Sequence, residues 1–329
     1  MTSKAKWLAA ALAILVAAGF GLSDWFHRMT FPRPARVDVI IKTNSNTDAM
    51  EFWQVLVDGV HVAAEEFRVD VRVSGPRTEA DVDVQIAMVE DAIESRPDAI
   101  VLAATDFDRL VPVAQKIVDR GIKLIILDSG INADIAHSTV QTDNVAAGNK
   151  AGRVMQEYLQ GPAKIAIISF VKNAASHLDR EKGVREVLEG DPRVVQLDTY
   201  SVDGSEQNAY AKVMEILRND PGVTGVIGLN EGTTVGAGRA IRELGLKDRV
   251  TLVGFDNSLE EIKFLEEGVL KATVIQRPFS MGYLSIKTAA EVISGKKVPR
   301  TIDTGSLVIT RKNMYEEENQ KLLFPFVNS

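Results

Sequence analysis

From Val37 onward the chain alternates short β-branched, fully apolar runs with helix-like stretches, each pair joined by a turn. A run apolar at every position is buried on both faces, which calls for parallel strands covered by crossover helices. The segment "MVEDAIESRPDAIVLAA" holds one whole unit. Met88, Val89, Ala92 and Ile93 keep helical spacing, Pro97 ends the helix, and an unbroken apolar run follows. In the first half the strands read as Val37 to Lys42, Val69 to Val73, Ala99 to Ala103 and Ile122 to Leu127, with a shorter extended piece at His137 to Gln141. The stretch "LQGPAKIAIISF", Leu159 to Phe170, restarts the pattern after Gly161 and Pro162. Strands then fall at Lys164 to Ser169, Val194 to Tyr200, Gly225 to Leu229, Val250 to Phe255 and Ala272 to Gln276, with helices starting near Ser176, Ser205, Thr233, Ser258 and Phe279. The tail Thr301 to Asn313 reads as extended, and pattern alone assigns it to neither half. A chain of 329 residues suits two domains with a cleft between them. The halves look like a duplicated architecture, although no internal identity proves the repeat.

Composition narrows the function. With 45% hydrophobic and 25% charged residues the chain is globular. Its net charge of -7 argues against nucleic acid as a partner. The absence of cysteine excludes disulfides, thiolate metal sites, a Cys nucleophile and a lipid-anchored N-terminal Cys. At the N-terminus, Lys4 and Lys6 precede the uncharged "WLAAALAILVAAGFGL", Trp7 to Leu22. As a helix it reaches about 24 Å, slightly short of a bilayer core of roughly 30 Å. It is a membrane-targeting segment, either a cleaved signal peptide or a retained anchor, and its basic flank places the rest of the chain outside the cytoplasm.

Ligands of open parallel sheets lie beyond the carboxyl ends of the strands, where helix N-termini also point. The residues in those places are Thr43, Asn44, Ser74, Thr105, Asp106, Asp128, Ser129, Asp143, Asn144, Asp203, Asn230, Glu231, Asp256, Asn257, Gln276 and Arg277. Singly, Asp, Asn and Ser there cap helices and shape turns. As a set they are rich in planar acceptors and amides, which suits a ligand with many hydroxyls. Asp256 is the sharpest case. It ends the apolar run of "TLVGFDNSLEE", and the following helix already has a cap in the S-x-x-E box of Ser258 and Glu261. A sugar also needs a ring over its C–H face. Phe52 and Trp53 in "EFWQVLVDG" supply two, one of which could pack inside while the other faces the cleft. In "HLDREKG", Arg180 is read in the first turn of a helix, where a cation opposes the dipole unless a carboxylate or ligand partners it.

Catalytic patterns are missing. There is no G-x-S-x-G elbow, H-E-x-x-H pair or P-loop lysine, and the four histidines are scattered, so neither an enzyme nor a metal site is expected. "GTTVGAGRA", Gly232 to Ala240, is not a dinucleotide fingerprint and reads as close helix packing. Asp106 and Asp108 could do acid–base work, but their spacing alone is weak evidence.

The motifs "EFWQVLVDG", "DAIVLAATD", "IILDSG", "TDNVAAG", "DREKG", "GLNEGTTVGA", "LVGFDNS", "VIQRPFSMGY" and "GKKVP" together make the chain, from about Val37 to its C-terminus, resemble the ribose-type periplasmic sugar-binding proteins, the receptor subunits of ABC importers. The resemblance implies an α/β fold of two Rossmann-like lobes with parallel sheets, joined by a three-segment hinge near Gln141 to Asn144, Gln276 to Pro278 and Thr304 to Leu307. It implies an N-terminal segment 1–36, one lobe of 37–142 plus 277–305, and a second of 143–276 plus 306–329. Carried over by motif, the ligand contacts are Phe52 and Trp53 as ring stackers, with Asp128, Arg180, Asn230, Asp256 and Gln276 as the polar shell. No cofactor is implied. The partners are a small sugar or polyol and an ABC permease, or a membrane sensor kinase if the N-terminal helix is retained. The chain departs from the family at three places. The Asn expected before the aromatic pair is lost around Met50 and Glu51, the amide expected near Ala103 is missing, and the Arg expected after Asp128 is Ser129. These changes speak against ribose itself and leave another small sugar or polyol. The same fold forms effector domains of lactose-repressor-type regulators, whose helix-turn-helix is replaced here by the apolar export segment.

Overall fold

The computed structural model describes residues 33–43, 51–202 and 204–324. The apolar stretch 7–22 and the positions of Asn44, Met50 and Asp203 lie outside the described residues.

Two six-stranded sheets carry the fold. The first holds β1 (Ala35–Ile40), β2 (Val69–Ser74), β3 (Ala99–Leu102), β4 (Lys123–Leu127), β5 (Ser138–Gln141) and β11 (Thr301–Asp303), in the order β11-β5-β4-β3-β1-β2. The second holds β6 (Ala163–Ser169), β7 (Val194–Ser201), β8 (Val223–Gly228), β9 (Thr251–Phe255), β10 (Leu270–Ile275) and β12 (Leu307–Thr310), in the order β12-β10-β9-β8-β6-β7. The registered pairs are parallel except β10 with β12, which is antiparallel. Leaving out the tail strands, both sheets follow one order, with the second strand outside the first and the rest running the other way. The α/β architecture of two lobes read from the sequence is therefore present. The tail that pattern left unassigned is divided, one strand to each sheet.

The continuous apolar runs are central strands. All four residues of β3 are buried, as are the last four of β8 and β10. Helices cover them, and two helix pairs hold the lobes tightly. In the first lobe, α1 (Glu51–Phe67) packs on α9 (Pro278–Ile293). A Cβ on Gly59 would stand 2.1 Å from the Phe279 carbonyl oxygen, and one on Gly282 2.0 Å from that of Leu56. In the second lobe, α4 (Asn144–Tyr158) packs on α5 (Ala175–Leu188). There a Cβ on Gly148 would stand 2.1 Å from the Arg180 oxygen, and one on Gly183 2.1 Å from that of Val145. Only glycine lets two helix backbones come so close. The duplication invisible as sequence identity thus appears as a repeated contact. Because α4 and α9 each pack in the lobe opposite to the strand they follow, the chain crosses between lobes after β5, after β10 and again between β11 and β12.

Among the remaining helices, α2 (Val82–Ser95) and α3 (Val111–Asp119) belong to the first lobe; α6 (Glu206–Asn219), α7 (Glu231–Glu243) and α8 (Leu259–Glu267) belong to the second. The short α10 (Glu317–Leu323) follows β12. The glycines of "GTTVGAGRA" serve packing, since Cβ atoms on Gly232, Gly236 and Gly238 would stand 2.6, 2.7 and 2.3 Å from Phe170, Ala209 and Phe264. One local expectation is corrected. Because α5 begins at Ala175, Arg180 lies in its second turn rather than its first, so the helix dipole is not what its position has to answer. Among the described residues no helix is long and apolar enough to cross a membrane.

Candidate ligand-binding site

Each sheet reverses its strand order once, between β1 and β3 and between β6 and β8, and the carboxyl ends beside those reversals face one cleft. Two aspartates stand at equivalent places in the two sheets: Asp128 directly after β4 and Asp256 directly after β9. Both have a left-handed backbone, with φ of 59° and 76°. The N–H of Asp128 donates to the Val140 carbonyl at 2.9 Å, and that of Asp256 to the Val274 carbonyl at 3.1 Å. Asp is among the few non-glycine residues that accept this conformation. Each chain thus turns sharply off its strand and leaves a buried carboxylate at the sheet's end.

The first-lobe wall is built of charges. Lys42, 2% exposed, follows β1 and reaches Glu79 Oε2 at 3.3 Å, Asp128 Oδ2 at 3.6 Å and the Ser176 hydroxyl at 3.4 Å. An isolated buried charge is strongly disfavoured, so these groups stand only as a set. Trp53 Nε1 donates to Glu79 Oε1 at 3.4 Å, and the Phe52 and Trp53 rings meet edge to face at 5.1 Å. Both rings border the cavity; neither is confined to the core.

The second-lobe wall is built of amides and helix ends. Gln276 Nε2 donates to Asp256 Oδ1 at 2.7 Å, and the Glu231 N–H at the start of α7 donates to Asp256 Oδ2 at 3.0 Å. Asp256 therefore does cap a helix, but α7 rather than α8, whose cap is the Ser258–Glu261 box. Asn230 caps α7 as well, its side-chain oxygen accepting from the Thr233 N–H at 3.0 Å. Arg180 lies over the Phe255 ring at 4.5 Å and donates to Asn144 Oδ1 and to the Leu229 carbonyl. These partners explain a buried cation here where the dipole does not. Burial raises the Asp256 carboxyl, against the pull of Arg180 and its two hydrogen bonds. Burial and the neighbouring Asp256 push Glu231 up to about 8. Burial, with Glu231 and Asp256 nearby, holds Glu261 well above the usual carboxyl range. Burial, reinforced by Lys42 and Arg180, holds His177 well below its ordinary value, so its ring is neutral.

The lobes meet across the cleft through exchanged helix caps. The two Glu231 carboxyl oxygens accept the Glu51 and Phe52 N–H groups at 3.1 and 3.2 Å, covering the start of α1. Glu51 in turn accepts the Leu259 N–H at 3.2 Å, covering the start of α8. On another side of the interface the Asn173 amide donates to Asp106 Oδ1 and Asp108 Oδ2 at 3.0 and 3.1 Å. That pair, weighed as an acid–base couple, is a contact between lobes.

All seven residues picked from the sequence, Phe52, Trp53, Asp128, Arg180, Asn230, Asp256 and Gln276, border one small cavity. Lys42, Glu79, Ser176 and His177 complete it. The space is ≈ 20 Å³, enough for about one water. Sequence reasoning missed those four. Lys42 had a readable signal, because it ends the run "VDVIIK" as Asp256 ends "LVGF". His177 had another, since it stands three residues before Arg180 and shares its helix face. Glu79 sits in an irregular loop and carried none. Of the other strand-end residues, Asp143 caps α4, Thr105 bonds Gln85, and Ser129 accepts the Ser176 N–H. Among the described residues no cluster of His, Asp and Glu is placed to hold a metal ion.

The model of the periplasmic binding protein domain matches residues 40–297 of this chain. The chain belongs to the periplasmic binding protein family. It is 26% identical to a D-ribose/D-allose-binding protein of Pseudomonas aeruginosa over 88% of this chain and 91% of that one. It superposes on a carbohydrate transporter solute-binding protein of Agrobacterium radiobacter in complex with D-arabinose (TM-score 0.84, 28% identity, 89% of this chain and 99% of that one). It also superposes on an ABC transporter solute-binding protein of Agrobacterium vitis with bound D-fucose (TM-score 0.83, 31% identity, 88% and 100%).

Proposed function

We propose that this periplasmic binding protein captures a small neutral sugar or polyol in the cleft and presents it to an ABC permease without converting it. One observation carries the reading: seven residues chosen as sugar contacts from six motifs border a single cavity lined by both lobes. Phe52 and Trp53 offer ring faces to C–H groups, and carboxylates and amides offer acceptors to hydroxyls. The cavity as closed is too small for a sugar, so capture requires the lobes to part by a hinge motion of the three crossing segments. The apolar 7–22 segment directs export and either is removed or holds the protein at the outer face of the membrane. The membrane-sensor alternative would use the same cavity. The transport role stated for the arabinose- and fucose-bound structures supports the importer.

The test is calorimetry and intrinsic fluorescence of the full chain in mild detergent across D-arabinose, D-fucose, D-ribose, D-allose and xylitol. Binding of at least one at micromolar affinity or tighter, with a change in emission from Trp53, is expected. Silence with every ligand sinks the assignment. N-terminal sequencing of the exported protein distinguishes a cleaved segment from an anchor.

A further inference from the structure

Beside the small cavity the cleft holds a second and far larger chamber of ≈ 810 Å³. Arg77, Thr78 and Glu79 of the first lobe line it, facing Phe170, Gln207 and Arg239 of the second. It lies beyond the carboxyl ends of β2 and β7, the edge strands of the two sheets, on the side away from the three crossings. Glu79, 3% exposed, borders both spaces, so the cavity and the chamber share a wall.

The chamber is more than a passage for entry. It stands while the lobes are joined by the caps at Glu51 and Glu231. The lobes also approach each other at its rim, where a Cβ on Gly204 would stand 3.5 Å from Ala80. Its volume falls within the range of about 300–1,000 Å³ usual for small-molecule sites. A cleft closed on a bare monosaccharide has no use for that second space.

The lining says what kind of group it suits. Phe170, 5% exposed, brings an aromatic ring, and Thr78 and Gln207 bring neutral polar side chains. The charges are matched. Glu79 meets Lys42 at 3.3 Å, Glu206 meets Arg239 at 3.0 Å, and Asp81, which accepts the Thr78 N–H and hydroxyl, is balanced by Arg77. Three cations against three carboxylates favour neither an anion nor a cation. A neutral ring with an apolar face and a polar edge, a second sugar or an aryl group, fits such a wall.

We propose that the cleft takes a glycoside: its sugar ring enters the small cavity, its glycosidic bond passes beside Glu79, and the group on its anomeric oxygen occupies the outer chamber. This rests on the sugar-binding reading and deepens it by naming the second part of the ligand. A close-packed site that ended at the sugar would have no room for that group and would reject it. A site continued by the chamber gains contact area from it.

The experiment is titration calorimetry of the full chain, in a detergent without a sugar headgroup, against D-arabinose, D-fucose, D-ribose and D-allose and against the α and β p-nitrophenyl glycosides of each. At least one glycoside is expected to bind as tightly as its free sugar or more tightly. The measurement is repeated on Gln207→Trp, because the exposed Gln207 lines the chamber and not the small cavity, and an indole there fills the outer space. The affinity for that glycoside relative to its sugar is expected to fall about tenfold. Weaker binding of every glycoside than of its free sugar overturns the proposal, as does an unchanged ratio in the folded variant. If the variant fails to fold, the comparison on the unaltered chain decides alone. Failure of a well-folded chain to bind any free sugar or glycoside defeats the sugar-binding reading itself. Binding of free sugars alone defeats only the role of the outer chamber.

Discussion

Asp128 in the first lobe and Asp256 in the second stand after equivalent strands, share a left-handed backbone and send their N–H groups to equivalent neighbours, yet they meet different company. Asp128 faces an ammonium that also contacts a second carboxylate. Asp256 faces an amide and the first N–H of a helix. The fold fixes where the carboxylate stands, and the side chains from adjoining elements decide what it does. The first wall is an ion set inserted among core strands, so its chemistry can be exchanged only as a set. The second wall is tied to the start of α7, so altering it disturbs the lobe that carries it.

The largest effect expected from this contrast is on stability. Lys42→Met leaves Glu79 and Asp128 buried without a cation, and removing one partner of a buried ion set costs about 3–5 kcal/mol. Urea unfolding should show that loss, and a loss under about 1 kcal/mol would mean the set is hydrated and the contrast is wrong. Next comes Asp256→Ala, which strands the Gln276 amide and the Glu231 N–H at about 1–3 kcal/mol each. Sugar affinity measured by calorimetry should fall at least about tenfold. Unchanged affinity with an intact fold would show Asp256 to be a helix cap and nothing more.

The third effect is a pH dependence confined to the second wall. Glu231, held at about 8 when buried between the lobes, falls back toward the ordinary carboxyl range once they part and its burial is relieved, although Asp256 of the same lobe stays beside it. The closed form therefore takes up a proton; its advantage is complete at pH below the open-state value and is lost as pH rises through about 8. Burial raises Asp256 and Glu261 in the same direction. Sugar affinity should weaken as pH rises toward alkaline values, by less than about tenfold per unit for one proton. Glu231→Gln should flatten the profile, and a steeper profile or one of opposite sign would overturn the assignment. The smallest effect is that of Glu51→Ala. It uncovers the start of α8 at about 0.5–1 kcal/mol, seen as a several-fold loss of sugar affinity with the urea midpoint nearly unchanged.

Much of the architecture was legible because parallel strands buried on both faces leave unbroken apolar runs, and helices between them leave Pro97 and Ser258 as markers. Legible too were the polar residues at strand ends that line the cavity, where Asp256 and Gln276 interrupt a run of core residues. Glu79 was not, because a loop residue is aimed by tertiary packing and has no period to betray it. Arg180 was found for a reason the structure does not support. Its helix starts earlier than read, and its partners are Asn144 and Leu229, which only the fold brings near.

The exchanged caps at Glu51 and Glu231 have a consequence for kinetics. Both are made only when the lobes meet, so they contribute nothing to the first encounter between ligand and open cleft. They must break before anything leaves. Their strength therefore acts on residence time while the capture rate stays with diffusion and the hinge. Such a carrier holds its cargo for a time set by these two caps rather than by the speed of capture.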